Sequence, residues 1–117
     1  MSKEAFVLPI FDMEINFLDD REEAKAFYRE RNGGEDPPAA LDIACGCCLT
    51  GGNARMLCVF DPQMRFVVHE AVHMALAILN ETGIKVNFRN DEPLTYLASY
   101  LSVEMMRFIN ENKKEAA

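Results

Sequence analysis

The residues best suited to chemistry are five consecutive ones, His69 to His73, which read His-Glu-Ala-Val-His. These two histidines are the only ones in the sequence. On a helix, side chains four residues apart lie one turn apart on the same face, so the two imidazoles can bind one metal ion together. Glu70 lies about 100° further round, where its carboxylate can take a proton from a metal-activated water. The H-E-x-x-H pattern therefore predicts a catalytic zinc site with Glu70 as general base.

A catalytic zinc usually has three protein ligands, so the histidine pair needs a third. Because no histidine remains, the third ligand must be a carboxylate on an element that folds back against the motif helix. Glu81 is on the same helix and too close in sequence. Glu92 opens the next predicted helix, and eighteen residues (74–91) separate it from His73. Glu92 is therefore the predicted third ligand.

The segment that carries the motif has clear helix signals. Asp61 is a typical N-cap, Pro62 suits the first helical position, and Gly83 suits the C-terminal end. Between these signals most residues outside the motif are apolar, and a helix that is apolar nearly all round is buried at the centre of a fold. We therefore predict a helix from Asp61-Pro62 to about Glu81-Thr82, with the motif mid-helix and inside the protein.

The elements around this helix predict a small α+β domain. The range 13–18 alternates and predicts a half-buried strand, and a helix follows from about Asp20 to Arg31. The ranges 41–49 and 55–60 predict two strands joined by a glycine-containing turn, and 84–88 predicts a short extended link. A last helix, capped by Asn90, carries an apolar stripe at helical spacing: Leu94, Leu97, Leu101, Met105 and Phe108. We expect one domain over 1–117, a small and mainly antiparallel sheet, and frayed ends at 1–4 and 110–117.

The composition limits the partners and the compartment. A chain of 117 residues suits one domain with a single core. Its net charge of −7 argues against nucleic acid and against an anionic membrane as partners. No apolar stretch approaches the length of a membrane span, and the first residues make a poor signal peptide. We therefore expect a cytoplasmic protein, and the sequence leaves its oligomeric state open.

Four cysteines, Cys45, Cys47, Cys48 and Cys58, raise the question of a second metal site. Adjacent residues of a strand point to opposite faces, so Cys47 and Cys48 do not easily share a metal. We therefore favour buried small side chains with free thiols, as expected in a reducing compartment. A disulfide from Cys58 to Cys45 or Cys47 is the alternative for an exported protein.

The motif, followed by eighteen residues and a glutamate on a second helix, resembles the gluzincins, a group of zinc metallopeptidases. The resemblance covers roughly residues 55–105 and implies a minimal zincin-like domain. It also implies zinc held by His69, His73 and Glu92, with Glu70 as the catalytic base. The expected reaction is hydrolysis of a peptide bond in a peptide or protein substrate.

The resemblance also indicates an oxyanion stabiliser and a substrate-binding strand. Gluzincins often place a tyrosine near the metal, which implies Tyr96, one turn after Glu92, with Tyr100 as a weaker candidate. Asp91 can replace Glu92 as ligand, as in aspartate-type zincins. Zincins also pair an extended substrate with a strand near the cleft, but the sequence does not tell which strand here has an open edge.

Two other functions stay open. The segment from Asn90 to Ala98 resembles small zincin-like proteins found in phage genomes, and such a domain can bind a partner protein while being weak or inactive in catalysis. The other alternative is a metal-free structural protein in which H-E-x-x-H is incidental. The sequence contains no exopeptidase motif, so aminopeptidase activity is not implied.

Overall fold

The computed structural model of the chain describes residues 3–9 and 11–116. Its elements, in chain order, are β1 (Lys3–Leu8), β2 (Met13–Leu18), α1 (Arg21–Arg31), α2 (Ala40–Ile43), β3 (Gly46–Leu49), β4 (Arg55–Val59), α3 (Met64–Glu81) and α4 (Glu92–Ala116). The strands form one sheet in the order β1-β2-β4-β3. The predicted α+β architecture with a mostly antiparallel sheet and a C-terminal helix is confirmed.

The sheet has a parallel pair at its centre and an antiparallel pair on each side. β1 and β2 are a hairpin in which Leu8 pairs with Met13, and β3 and β4 are antiparallel with Cys47 opposite Cys58. β2 and β4 run parallel, with Ile15 opposite Arg55. Among the described strands β1 and β3 are therefore the two open edges.

Helices cover both faces of this sheet and create two cores. On one face α3 and α4 pack against inward side chains of all four strands; the fully buried members include Ile15, Phe17, Leu57, Met74, Ile78, Leu101 and Met105. On the other face α1 and α2 form a smaller core with Leu18, Ala24, Phe27, Leu41, Cys47, Met56 and Cys58. The central strand β2 is therefore buried on both faces from residue 15 to residue 18, so the prediction of a half-buried strand is wrong.

The helix α1 begins and ends as its sequence predicts. The carboxylate of Asp20 accepts hydrogen bonds from the backbone N–H groups of Glu22 and Glu23, at 2.8 and 3.1 Å, which satisfies donors that the first turn leaves unpaired. Asn32 forms the C-cap, and Gly33 and Gly34 follow with φ of 66° and 86°. Glycine adopts this left-handed backbone without a steric penalty, so the chain turns sharply there.

The range 41–49 is not one strand. Its first part forms the short helix α2, and only Gly46–Leu49 is extended. Contacts with α1 hold the helical turn: the guanidinium of Arg21 donates to the carbonyl oxygens of Leu41 and Ala44 at 2.8 and 2.9 Å. Because these partners are about twenty residues apart in sequence, no local pattern in 41–49 reveals them.

The motif helix α3 begins later than predicted. Asp61 does not cap it, since its carboxylate accepts a hydrogen bond from the side-chain amide of Gln63 at 2.8 Å. The backbone N–H groups of Phe66 and Val67 donate to the carbonyl of Gln63, which is the true N-cap. The predicted end is confirmed, with Thr82 as C-cap and Gly83 at φ 80°.

The helix α4 is longer than predicted. Asp91 rather than Asn90 precedes it, since the N–H of Thr95 donates to the carbonyl of Asp91 at 3.1 Å. The predicted stripe of α4 faces the core, with Leu97, Leu101, Met105 and Phe108 buried. The helix continues to Ala116 where fraying was expected, and β1 begins at Lys3. Within the described residues no helix has both the length and the apolar composition needed to cross a bilayer.

Candidate metal centre

The three polar residues of the motif lie on two sides of α3. Glu70 points towards the sheet and is 7% exposed, whereas the side chain of His69 is 63% exposed and His73 is exposed as well. The prediction that the whole motif lies inside the protein is therefore wrong. The reason is that α3 packs against the sheet on one side and against α4 on another, so its third side faces solvent.

The two histidines lie next to each other on that open side. Their ring centroids are 4.8 Å apart and the ring planes meet at 73°. Nε2 of His69 lies 3.9 Å from Oε2 of Glu70. Two imidazoles one turn apart, open to solvent and beside a carboxyl group, are a donor set that suits a divalent ion such as zinc. The histidine pair therefore fits the predicted metal.

Glu70 lies in a hollow of about 350 Å³ between α3 and the edge strand β3. The hollow is lined by Gly46, Cys47, Cys48, Thr50, Glu70, His73 and Ala77. Burial raises the pKa of the Glu70 carboxyl, while the nearby imidazoles of His69 and His73 act in the opposite direction. A carboxyl with a raised pKa binds a proton more readily at neutral pH, as a general base requires.

Glu92, the predicted third ligand, is exposed at the first position of α4. Across residues 3–9 and 11–116, no three side chains of histidine, cysteine, aspartate or glutamate come close enough to hold a metal together. Glu92 does share a helix face with Thr95, Ser99 and Ser102, which line the groove between α4 and Val68 of α3. The role of Glu92 as a ligand, like that of the exposed Asp91, therefore stays a prediction.

The two tyrosines lie on another face of α4. Tyr96 is 73% exposed and borders an apolar hollow together with Leu8, Phe11 and Leu79. Tyr100 lines the same hollow and packs edge-on against the ring of Phe6, with ring centroids 5.9 Å apart. None of the motif residues borders this hollow, so the structure does not group the tyrosines with the histidines, and the role of Tyr96 in catalysis stays a prediction.

The cysteines are four free thiols. Cys47 and Cys58 pack in the core under α1 and α2, whereas Cys48 packs against the core under α3, so adjacent cysteines do point to opposite faces. Burial, together with the negative charge of Glu70, raises the pKa of Cys48 to about 12. Burial also raises the pKa of Cys47 and, further, that of Cys58. The thiols of Cys47, Cys48 and Cys58 are therefore protonated at neutral pH, which makes them poor nucleophiles.

The edge strand β3 runs beside Glu70 with backbone groups directed away from the sheet. The N–H of Phe60 donates to the carbonyl of Cys45 at 2.8 Å, and hydrogen-bonded pairs alternate along an antiparallel ladder. The backbone N–H and C=O of Gly46 and Cys48 therefore point to the open edge. The sequence analysis missed Gly46, although a glycine inside a strand often indicates close approach by another group.

Comparison of the chain with known protein families, with curated proteins and with solved structures gives no match.

Proposed function

We propose that this protein is a zinc-dependent metallopeptidase of gluzincin type. The observation that carries the proposal is the arrangement of α3: a buried carboxyl, Glu70, lies beside a pair of solvent-facing imidazoles and next to an open strand edge. A buried carboxyl that lacks a close ion pair costs folding stability. Such a carboxyl often persists because an active site uses it.

His69 and His73 would hold the zinc, with Glu92 as the proposed third ligand. When bound, zinc acts as a Lewis acid that lowers the pKa of water and polarises the carbonyl of the substrate. Glu70 accepts a proton at its carboxylate and passes it to the leaving amine, and its raised pKa suits both steps. Tyr96 is the proposed oxyanion stabiliser.

The open edge of β3 supports a peptide or protein as the substrate. An extended chain can add to a sheet edge through main-chain hydrogen bonds, and the outward N–H and C=O groups of Gly46 and Cys48 lie along the hollow that contains Glu70. A peptide bound there would run past the carboxyl of Glu70. The cytoplasm remains the compartment that we propose.

The test starts with metal content, because every later step depends on it. Zinc measured by mass spectrometry in the purified protein should be close to one ion per chain, and His69→Ala and His73→Ala should lose it. Asn80→Ala, an exposed position on the same helix, is the matched control and should keep it. A zinc-free wild-type protein that does not take up added zinc would contradict the proposal and favour a metal-free structural protein.

Cleavage of a peptide library then separates an enzyme from a binding module. Glu70→Gln keeps the shape of the side chain but cannot act as a base, so this variant should retain zinc and lose at least about a hundredfold in kcat. If the zinc-loaded wild-type protein cleaves nothing in the library or in denatured proteins, the inactive binding module becomes the better explanation.

A further inference from the structure

Gly46 is the point at which β3 comes closest to the side chain of Glu70. A Cβ atom built at Gly46 would lie 2.9 Å from Cγ and 3.2 Å from Oε2 of Glu70. It would also lie 3.0 Å from the backbone carbonyl oxygen of Cys58. Unbonded carbon atoms pack best at about 3.5–4.0 Å, so any side chain at position 46 would displace Glu70 or the strand.

The backbone conformation does not explain a glycine at this position. Gly33, Gly34 and Gly83 have positive φ, where other residues are strained. Gly46 is not among the glycines with positive φ and is the first residue of β3, opposite Val59. Glycine weakens a strand because it has no side chain to pack. The close approaches of Glu70 and of the Cys58 carbonyl are therefore the features of this site that a side chain would disturb.

Glu70 depends on packing for its orientation. Its carboxyl lies 3.9 Å from Nε2 of His69, which is outside hydrogen-bond distance. The carboxyl is held instead between α3 and the backbone of β3, in the hollow that also contains His73. A shift of Glu70 by a fraction of an ångström would therefore meet little resistance from polar contacts, and the strand backbone sets where the carboxyl lies.

We infer that Gly46 is a positioning residue for Glu70: its missing side chain lets the carboxyl lie against the strand edge beside the histidine pair. The catalytic consequence of this inference rests on the proposed peptidase function. The structural consequence does not, since the contact between positions 46 and 70 exists whether or not the protein is an enzyme. The two consequences can be measured separately.

The structural arm compares Gly46→Ala in the wild-type protein and in the Glu70→Ala variant. Alanine at position 46 should lower the melting temperature by roughly 5–10 °C in the wild-type protein, because it overpacks the contact. In Glu70→Ala the crowding atoms are gone, so the shift should fall to less than half, with only the contact to the Cys58 carbonyl remaining. Gly51→Ala is the control, since its Cβ would meet no atom within 4 Å.

Equal shifts in both backgrounds would overturn the inference, because the strain would then come from the β4 backbone alone. If Gly46→Ala does not fold, the double variant decides: a folded double variant supports the inference, and an unfolded one contradicts it. This arm gives its answer even if the wild-type protein cleaves no peptide, in which case only the proposed function fails.

The catalytic arm measures zinc content and peptide cleavage. Gly46→Ala should keep one zinc per chain and lose about a hundredfold in kcat, the size expected when a catalytic group is displaced by about 1 Å. Its KM should change by less than about threefold, because the base acts on the chemical step. Gly51→Ala should match the wild-type protein in all three measurements. Wild-type kcat in a zinc-loaded Gly46→Ala protein would contradict the positioning role.

Discussion

The buried carboxyl of Glu70 leads to a prediction about stability that needs no substrate. Glu70→Gln keeps the shape of the side chain and removes its charge. At neutral pH the ionised carboxyl of the metal-free protein costs stability, because burial raises its pKa in the folded state. The variant should therefore be more stable than the wild-type protein when zinc is removed.

The size of the effect follows from the position of the side chain. Burial of a polar group without a compensating hydrogen bond costs about 1–3 kcal/mol in proteins. The residue is 7% exposed, but its carboxyl borders an open hollow, so we expect the lower end, about 1 kcal/mol. For a domain of this size that corresponds to a rise in melting temperature of about 3–5 °C.

The pH dependence has a definite sign. Because the folded-state pKa of Glu70 lies above the unfolded value, the protonated carboxyl contributes its full stability below about pH 4.3 and loses it as the pH rises through the folded pKa. The advantage of Glu70→Gln should therefore be largest at about pH 8 and shrink towards about pH 4.5. Titrating groups that do not interact with Glu70 cancel in the difference between the two proteins.

Thermal unfolding followed by circular dichroism in the presence of a chelator measures this difference. Glu30→Gln, at an exposed position on α1, is the matched control and should give a small difference that does not vary with pH. A Glu70→Gln variant that is less stable than the wild-type protein at neutral pH would refute the reasoning. It would mean that favourable contacts of the carboxylate outweigh the cost of its burial.

Four further predictions concern the ligand set, the proposed role of Tyr96, the strand edge and the fold. Glu92→Gln should weaken zinc binding by at least about tenfold, whereas Asp91→Asn should leave it unchanged; the reverse result would make Asp91 the third ligand. The predicted role of Tyr96 implies that Tyr96→Phe lowers kcat by about a hundredfold, and an unchanged kcat in steady-state assays would remove that role. Cys48→Pro removes an outward N–H of β3 and should raise KM for peptides about tenfold, while Cys48→Ala, which loses only the thiol, should not; equal KM values would argue against substrate pairing with this edge. Arg21→Ala removes two hydrogen bonds to carbonyls in and after α2 and should lower the free energy of unfolding in urea by about 2 kcal/mol.

The sequence predicted the helices better than the strands. Both ends of α1 and the C-terminal end of α3 depend on local signals, a capping aspartate and C-terminal glycines, and such signals can be read without the fold. β1 was missed as a strand because its residues alternate poorly and Pro9 interrupts the apolar run. The parallel pairing of β2 with β4 joins Ile15 to Arg55, a contact that no local pattern indicates.

The candidate site was predictable only where it depends on spacing along one helix. Spacing along one helix places His69 beside His73, and the structure shows these rings together. The opposite orientations of Glu70 and the histidines depend on where the sheet and α4 pack, which the apolar composition of α3 does not reveal. The close approach of Gly46 joins residues 24 positions apart through strand and helix packing, so it became visible only in three dimensions.

The buried and the exposed side of α3 differ in how well they tolerate substitutions during evolution. Ala71, Met74, Ala75 and Ile78 are fully buried, so substitutions there create cavities and cost stability. The histidines face solvent and are not part of that core, so drift at positions 69 and 73 can abolish the proposed metal binding while the domain still folds. A library randomised at those two positions should therefore yield mostly folded proteins, from which sites for other metals can be selected without repairing the scaffold.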